Sequence, residues 1–83
     1  MRRYIIYLPD VGDWVKVLIG LEGLGRPQTD QKHIVALATE TDPLEVQNTL
    51  ARSVKYYIMT EVTGEVGANV GSDHVAIVSA LQP

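Results

Sequence analysis

Asp10 and Asp13 are the residues whose type and spacing come nearest to chemistry. Set three apart on a first helical turn, their carboxylates face the same way. Two carboxylates at the end of a strand can hold Mg²⁺, which takes hard oxygen ligands and retains waters, and a metal held there could assist phosphodiester cleavage. The same pair also suits a helix start, where a carboxylate caps free N–H groups and complements the macrodipole. The helix-starting role is the preferred reading of both. Lys32, Arg52 and Lys55 should fall at the same end of the domain, as phosphate contacts or as solvated charges balancing the carboxylates. Arg2, Arg3 and Arg26 should gather at the opposite end.

The remaining polar residues give less. His33 and His74 stand outside any ligand-spaced cluster and are expected at the surface or a strand edge. Ser53, Ser72 and Ser79 lack the flanking glycines of a nucleophile elbow. Gly20, Gly23 and Gly25 come at a helix end instead of between a strand and a helix start, so they form no dinucleotide fingerprint. Trp14 and the tyrosines could stack on bases, yet no basic-aromatic run with glycines accompanies them. They read as core and interface, with Tyr56, Tyr57, Ile58 and Met59 the interface candidates.

The elements that must position these residues are legible. Arg3 to Leu8 reads as a strand apolar on both faces, ended by Pro9. A helix follows, capped by Asp10 or Asp13, with Val11, Trp14, Leu18 and Leu21 as its buried stripe. Gly23 or Gly25 should supply a left-handed stop. Gln28 to Lys32 is polar and suits an edge strand or a ragged hairpin arm, and His33 to Thr39 is a second apolar strand. Asp42 then caps a helix with Pro43 at its first position and Glu45 placed for a capping box. Val46, Leu50 and Val54 stack one turn apart, and the helix should end near Arg52 or Ser53. Lys55 to Val62 has the aromatic and branched composition of a strand. Gly64, Gly67 and Gly71 break the chain, after which a helix through Val75, Val78 and Leu81, capped by Ser72 or Asp73, is preferred to a strand.

Right-handed crossovers make the first two strands parallel, with the third between them and the fourth outside the first. The expected fold is therefore an α+β, ferredoxin-like βαββαβ sandwich with both helices on one sheet face. It forms a single domain over residues 1–83, of which 62–83 is a C-terminal extension. The strands are apolar at both parities, unlike a sheet with one wet face. The tail could cover the second face, but a second copy of the chain is the expected cover.

Composition narrows the function. With 46% hydrophobic residues, so small a chain should leave apolar surface for a partner. A net charge of −3 argues against strong non-specific nucleic-acid binding. The absence of cysteine excludes disulfides and thiolate zinc sites. The longest apolar runs, such as Ile34 to Ala38, are too short to span a bilayer, and the apolar stretch after Met1-Arg2-Arg3 stops at Pro9-Asp10, so a cytoplasmic location is expected.

The pattern resembles the small nucleases of CRISPR spacer acquisition and their relatives, including antitoxin ribonucleases of the GhoS kind. The resemblance runs from Arg3-Tyr4-Ile5-Ile6-Tyr7 through Ala38-Thr39-Glu40-Thr41-Asp42-Pro43-Leu44-Glu45-Val46 to Ile58-Met59-Thr60-Glu61-Val62. It implies a dimer in which chain ends wrap onto the partner and sheet faces pack together. It also implies a metal-holding aspartate at the end of the first strand. That place is taken here by Leu8, followed by Pro9, and the nearest carboxylate is Asp10, a departure that speaks against metal-dependent cleavage.

The sequence therefore points first to a non-catalytic, homodimeric interaction or regulatory module without a cofactor, whose other protein partner is unspecified. The alternatives are a metal-assisted RNA or DNA endonuclease using Asp10, Asp13 and Mg²⁺, and a small-ligand domain using the cleft between sheet and tail.

Overall fold

Tyr4, Ile6 and Leu8 are fully buried in one core, whereas Ile5 between them packs into a second. A computed structural model describes residues 1–83. Its elements are β1 (Arg2–Tyr7), α1 (Asp13–Leu21), β2 (Arg26–Thr29), β3 (Ile34–Thr39), α2 (Pro43–Ser53), β4 (Ile58–Glu61), a 3-10 turn over Ser72–His74 and α3 (Val75–Leu81). The sheet order is β2-β3-β1-β4, and every neighbouring pair is antiparallel. Thus β1 and β2 run parallel with β3 between them, and β4 lies outside β1. This is the expected ferredoxin-like α+β arrangement. No helix is long and apolar enough to cross a membrane.

The first core fills the space between the sheet and the two long helices. It joins Tyr4, Ile6, Leu8, Val35 and Leu37 of the strands to Val17 and Leu21 of α1 and to Val46, Leu50 and Val54 of α2. The start of α2 follows its sequence signal. Asp42 Oδ1 accepts the N–H of Glu45 at 3.0 Å, and Pro43 occupies the first turn. Glu45 makes no bond back to Asp42, so only half of the capping box forms.

The start of α1 differs from expectation. Gly12, at φ 101°, is its N-cap, and neither the Asp10 nor the Asp13 carboxylate accepts a capping hydrogen bond from the helix. A left-handed residue here turns the chain sharply off the strand, a geometry that glycine adopts at no steric cost. Val11 precedes that turn and is 72% exposed, so Val17 takes its place in the stripe with Trp14 and Leu21. At the other end neither Gly23 nor Gly25 is left-handed. The N–H groups of Leu24 and Gly25 both return to the carbonyl of Leu21 instead. Gly25 is needed for close approach, since a Cβ there would lie 2.5 Å from the carbonyl oxygen of Ala38.

β2 begins at Arg26, two residues before the expected strand, and includes Pro27. An edge strand tolerates this, because one side of its backbone has no ladder to donate to. β4 begins only at Ile58, opposite Tyr7, where β1 ends. Beyond that point the N–H of Leu8 turns to the carbonyl of His33, just before β3.

The tail corrects the expectation for the second face. Ile77 and Leu81 of α3 close over Ala36, with Ile5, Ile34, Val62, Val66 and Ala80 packed around them. The tail, and not a second copy, covers this part of the sheet. Neither Ser72 nor Asp73 caps the helix through its side chain. Val75, Ile77 and Val78 adopt helix despite their branching, because Ile77 and Leu81, one turn apart, meet the same small patch of β3.

Candidate functional site

Cross-strand register sets out the residues on the sheet face away from α1 and α2. Opposite one another stand Ile34, Tyr7 and Ile58 in one row, then Ala36, Ile5 and Thr60, then Ala38 and Arg3. The alanines leave room for a helix on β3, and α3 lies there. It stops short of the larger side chains towards β4. Ile5, Tyr7, Ile34, Ile58 and Thr60 consequently line an apolar hollow of about 220 Å³. At its margin Ile58 is 65%, Tyr56 54% and Tyr7 45% exposed. The exposed side chains lie beside the free edge of β4, whose outward main-chain groups have no ladder partner.

Two polar clasps hold the tail so that the hollow stays open beside it. At one end Arg3 Nη1 donates to the carbonyl of Leu81, the last residue of α3, and to that of Gly64 at 2.9 Å. A guanidinium there satisfies the carbonyl end of a helix and complements its dipole. At the other end His74 Nε2 lies 3.5 Å from Asp30 Oδ2. Gln82 Nε2 also donates to the carbonyl of Val66 at 2.7 Å, tying the last residues to the connecting loop.

Asp30 is the more constrained partner of its clasp. Its side chain is 7% exposed, and Oδ1 accepts the N–H groups of Lys32, His33 and Ile34 at 2.9, 3.0 and 3.0 Å. Partial burial works against its charge, but the bonds from Ile34, Lys32 and His33 and the contact with His74 outweigh that, so its carboxyl titrates below the ordinary range. The same turn aims His33. The ring Nδ1 donates to the carbonyl of Leu8 at 2.7 Å and stacks on Tyr7 with centroids 5.7 Å apart. His33 is therefore half-buried and fixes the wall of the hollow.

The interface candidates divide between the two faces. Tyr57 and Met59 pack against the first core under α2, whereas Tyr56 and Ile58 are exposed. The carboxylate pair is also separated in its roles. Asp10 is exposed in the bend before Gly12, where its main-chain carbonyl accepts the N–H of Asp13. Asp13 lies 3.7 Å from Lys16 on the next turn. No group of three or more His, Cys, Asp or Glu residues is placed to hold a metal.

The basic residues do not form a single patch. Lys32 lies in the β2–β3 turn at one side of the sheet. Arg52 reaches Thr49 at 3.4 Å on α2, and Lys55, at the same strand end as Lys32 but across the sheet from it, has its Nζ 5.4 Å above the ring of Tyr56. Of the opposite set, Arg3 and Arg26 flank Ala38 in register, Arg2 pairs with Glu61 at 3.7 Å and Arg3 is held by main-chain carbonyls.

Sequence reasoning missed Tyr7, Ile34 and Thr60 as a site, and missed both clasps. One signal was present: small Ala36 and Ala38 alternate with large Val35 and Leu37, which marks the strand face that receives a covering element. Nothing in the sequence pairs Asp30 with His74. Comparisons with models of protein families, with curated proteins and with solved structures give no match.

Proposed function

We propose that the chain is a non-catalytic homodimeric interaction module, and that its contact surface is the part of the open sheet face that α3 leaves bare. The observation that carries this reading is the apolar hollow bounded by Ile58 and Tyr7 at the free edge of β4. Its lining of aliphatic and aromatic groups with one threonine offers much area to bury and few groups to orient a reacting substrate. The metal-assisted nuclease reading draws less support, because Asp13 already faces an ammonium, and Lys32 and Lys55 stand at opposite flanks of the sheet.

Sedimentation at micromolar concentration tests the proposal. The wild-type chain should run at twice its 9.1 kDa mass. Ile58→Asp should run as a monomer with an unchanged far-ultraviolet spectrum, since Ile58 is exposed and belongs to neither core and a carboxylate at a buried contact is strongly unfavourable. A monomeric wild-type protein overturns the reading.

A further inference from the structure

We propose that the two copies join edge to edge through β4, in antiparallel register with Ile58 on the two-fold axis, so that the sheets merge into one of eight strands. The inference rests on the homodimer reading and specifies its geometry.

Backbone direction comes first. The N–H of Val62 donates to the carbonyl of Arg3 at 2.8 Å, which makes that position a hydrogen-bonded pair. Pairs alternate along an antiparallel ladder, so Thr60 and Ile58 also turn their main-chain groups towards β1. Met59 and Glu61 then turn theirs away from it, to the free edge of the sheet. A second strand must bond to those outward groups, and this restricts a two-fold β4 pair to registers centred on Ile58, Met59 or Thr60.

Side chains choose among the three. Centring on Ile58 sets that residue against its own copy and Tyr57 against the partner's Met59. Residues 55–57 precede β4, and drawn out into the ladder they set Tyr56 against the partner's Thr60 and Lys55 against the partner's Glu61. The row Ile34, Tyr7, Ile58 then continues through the axis into the same row of the partner, as one apolar band across the merged sheet. The partner's Tyr56 stands one strand from Ile5, beside the hollow. Opposite charges meet twice, once at each side of the axis, with each Glu61 also 3.7 Å from Arg2 of its own chain. Centring on Met59 brings Lys55 opposite Thr63 and Ile58 opposite Thr60, whereas centring on Thr60 pairs Ile58 with Val62 and would need Glu65, beyond the left-handed Gly64 that breaks the strand, to meet Lys55. Edge strands with charges guard against pairing with strangers, and a lysine–glutamate match of this kind also selects the correct partner and register.

The chain has no cysteine, so single cysteines report register directly. A residue on the axis lies opposite itself as a non-hydrogen-bonded pair about 4.5 Å apart at Cα, within disulfide reach. Ile58→Cys should form a disulfide-linked dimer on mild oxidation, seen on non-reducing gels, whereas Thr60→Cys and Met59→Cys should not. Lys55→Glu should raise the dimer Kd by about tenfold, because two surface pairs become repulsive. Lys55→Glu combined with Glu61→Lys should restore it. Cross-linking of Thr60→Cys or Met59→Cys in place of Ile58→Cys overturns the register. A wild-type dimer in which no single cysteine cross-links and Lys55→Glu has no effect overturns edge pairing and leaves the homodimer reading intact. A monomer at every concentration overturns both.

Discussion

Asp30 joins three backbone groups and a histidine through one carboxylate. It fixes the β2–β3 turn and anchors the beginning of α3 at the same time. Its folded-state carboxyl titrates below the ordinary value of 3.8 despite partial burial, because its hydrogen bonds favour the charged form. A depressed acid contributes stability above its unfolded pKa and loses it as the pH falls through the folded one. Asp30→Ala should therefore lower unfolding free energy by about 1–3 kcal/mol at neutral pH, the cost of leaving buried donors without their acceptor. The difference from wild type should shrink once the pH drops below 3.8. Urea unfolding of both proteins across that range checks this, and a gap independent of pH would contradict it. The role of Asp30 was not readable along the chain, since three of its four partners follow from a local turn but His74 arrives from the other end. Asp10 and Asp13, which are conspicuous in the sequence, proved to be a turn residue and the partner of a neighbouring lysine.

Among the elements, α2 and α3 differ in what makes them helical. α2 spans Pro43–Ser53 with a capping aspartate, a proline at its start and an apolar stripe. Each is a local signal, and its position was legible to within a residue. α3 spans only Val75–Leu81, has no side-chain cap and carries branched residues that serve a strand equally well. A helix so short is marginal by itself, so tertiary contacts hold it in place. Those contacts are Ala36 beneath it and Arg3 at its carbonyl end. Ala36→Leu should place a larger side chain where Ile77 and Leu81 sit. The expected outcome is a loss of about 1–3 kcal/mol, with faster amide exchange over 75–81 than over α2. Equal protection of α3 in variant and wild type would show that α3 does not depend on that alanine.

At the scale of the whole molecule, the sheet is covered on one face by two helices and on the other by a short one. The larger cluster holds ten buried residues and the smaller three. That imbalance leaves the β4 side of the second face uncovered, and a second copy would complete it. Association that binds only the folded chain stabilises it by mass action. The thermal midpoint should therefore rise with protein concentration in the wild type. Ile58→Asp should unfold at a midpoint independent of concentration, which scanning calorimetry over a dilution series would show. The same dependence in both proteins would place the contact elsewhere.

Read along the chain, the residues lay down the order of the elements, the cap and stripe of α2, the βαββαβ topology and the two-sided burial of the strands. All of these rest on short-range spacing: the alternation of Tyr4 to Leu8, the four-residue steps from Val46 to Val54, and the Asp42-Pro43 start. Only the tertiary structure decided which residues of the second face stay bare. That outcome depends on where α3 comes to rest, and α3 is placed by Arg3 and Asp30, which bind it across 78 and 44 positions of chain. A side chain carries its own periodicity into a sequence, but not the identity of a distant carbonyl or imidazole. The hollow at Tyr7 and Ile58 is what remains once those long-range bonds have formed.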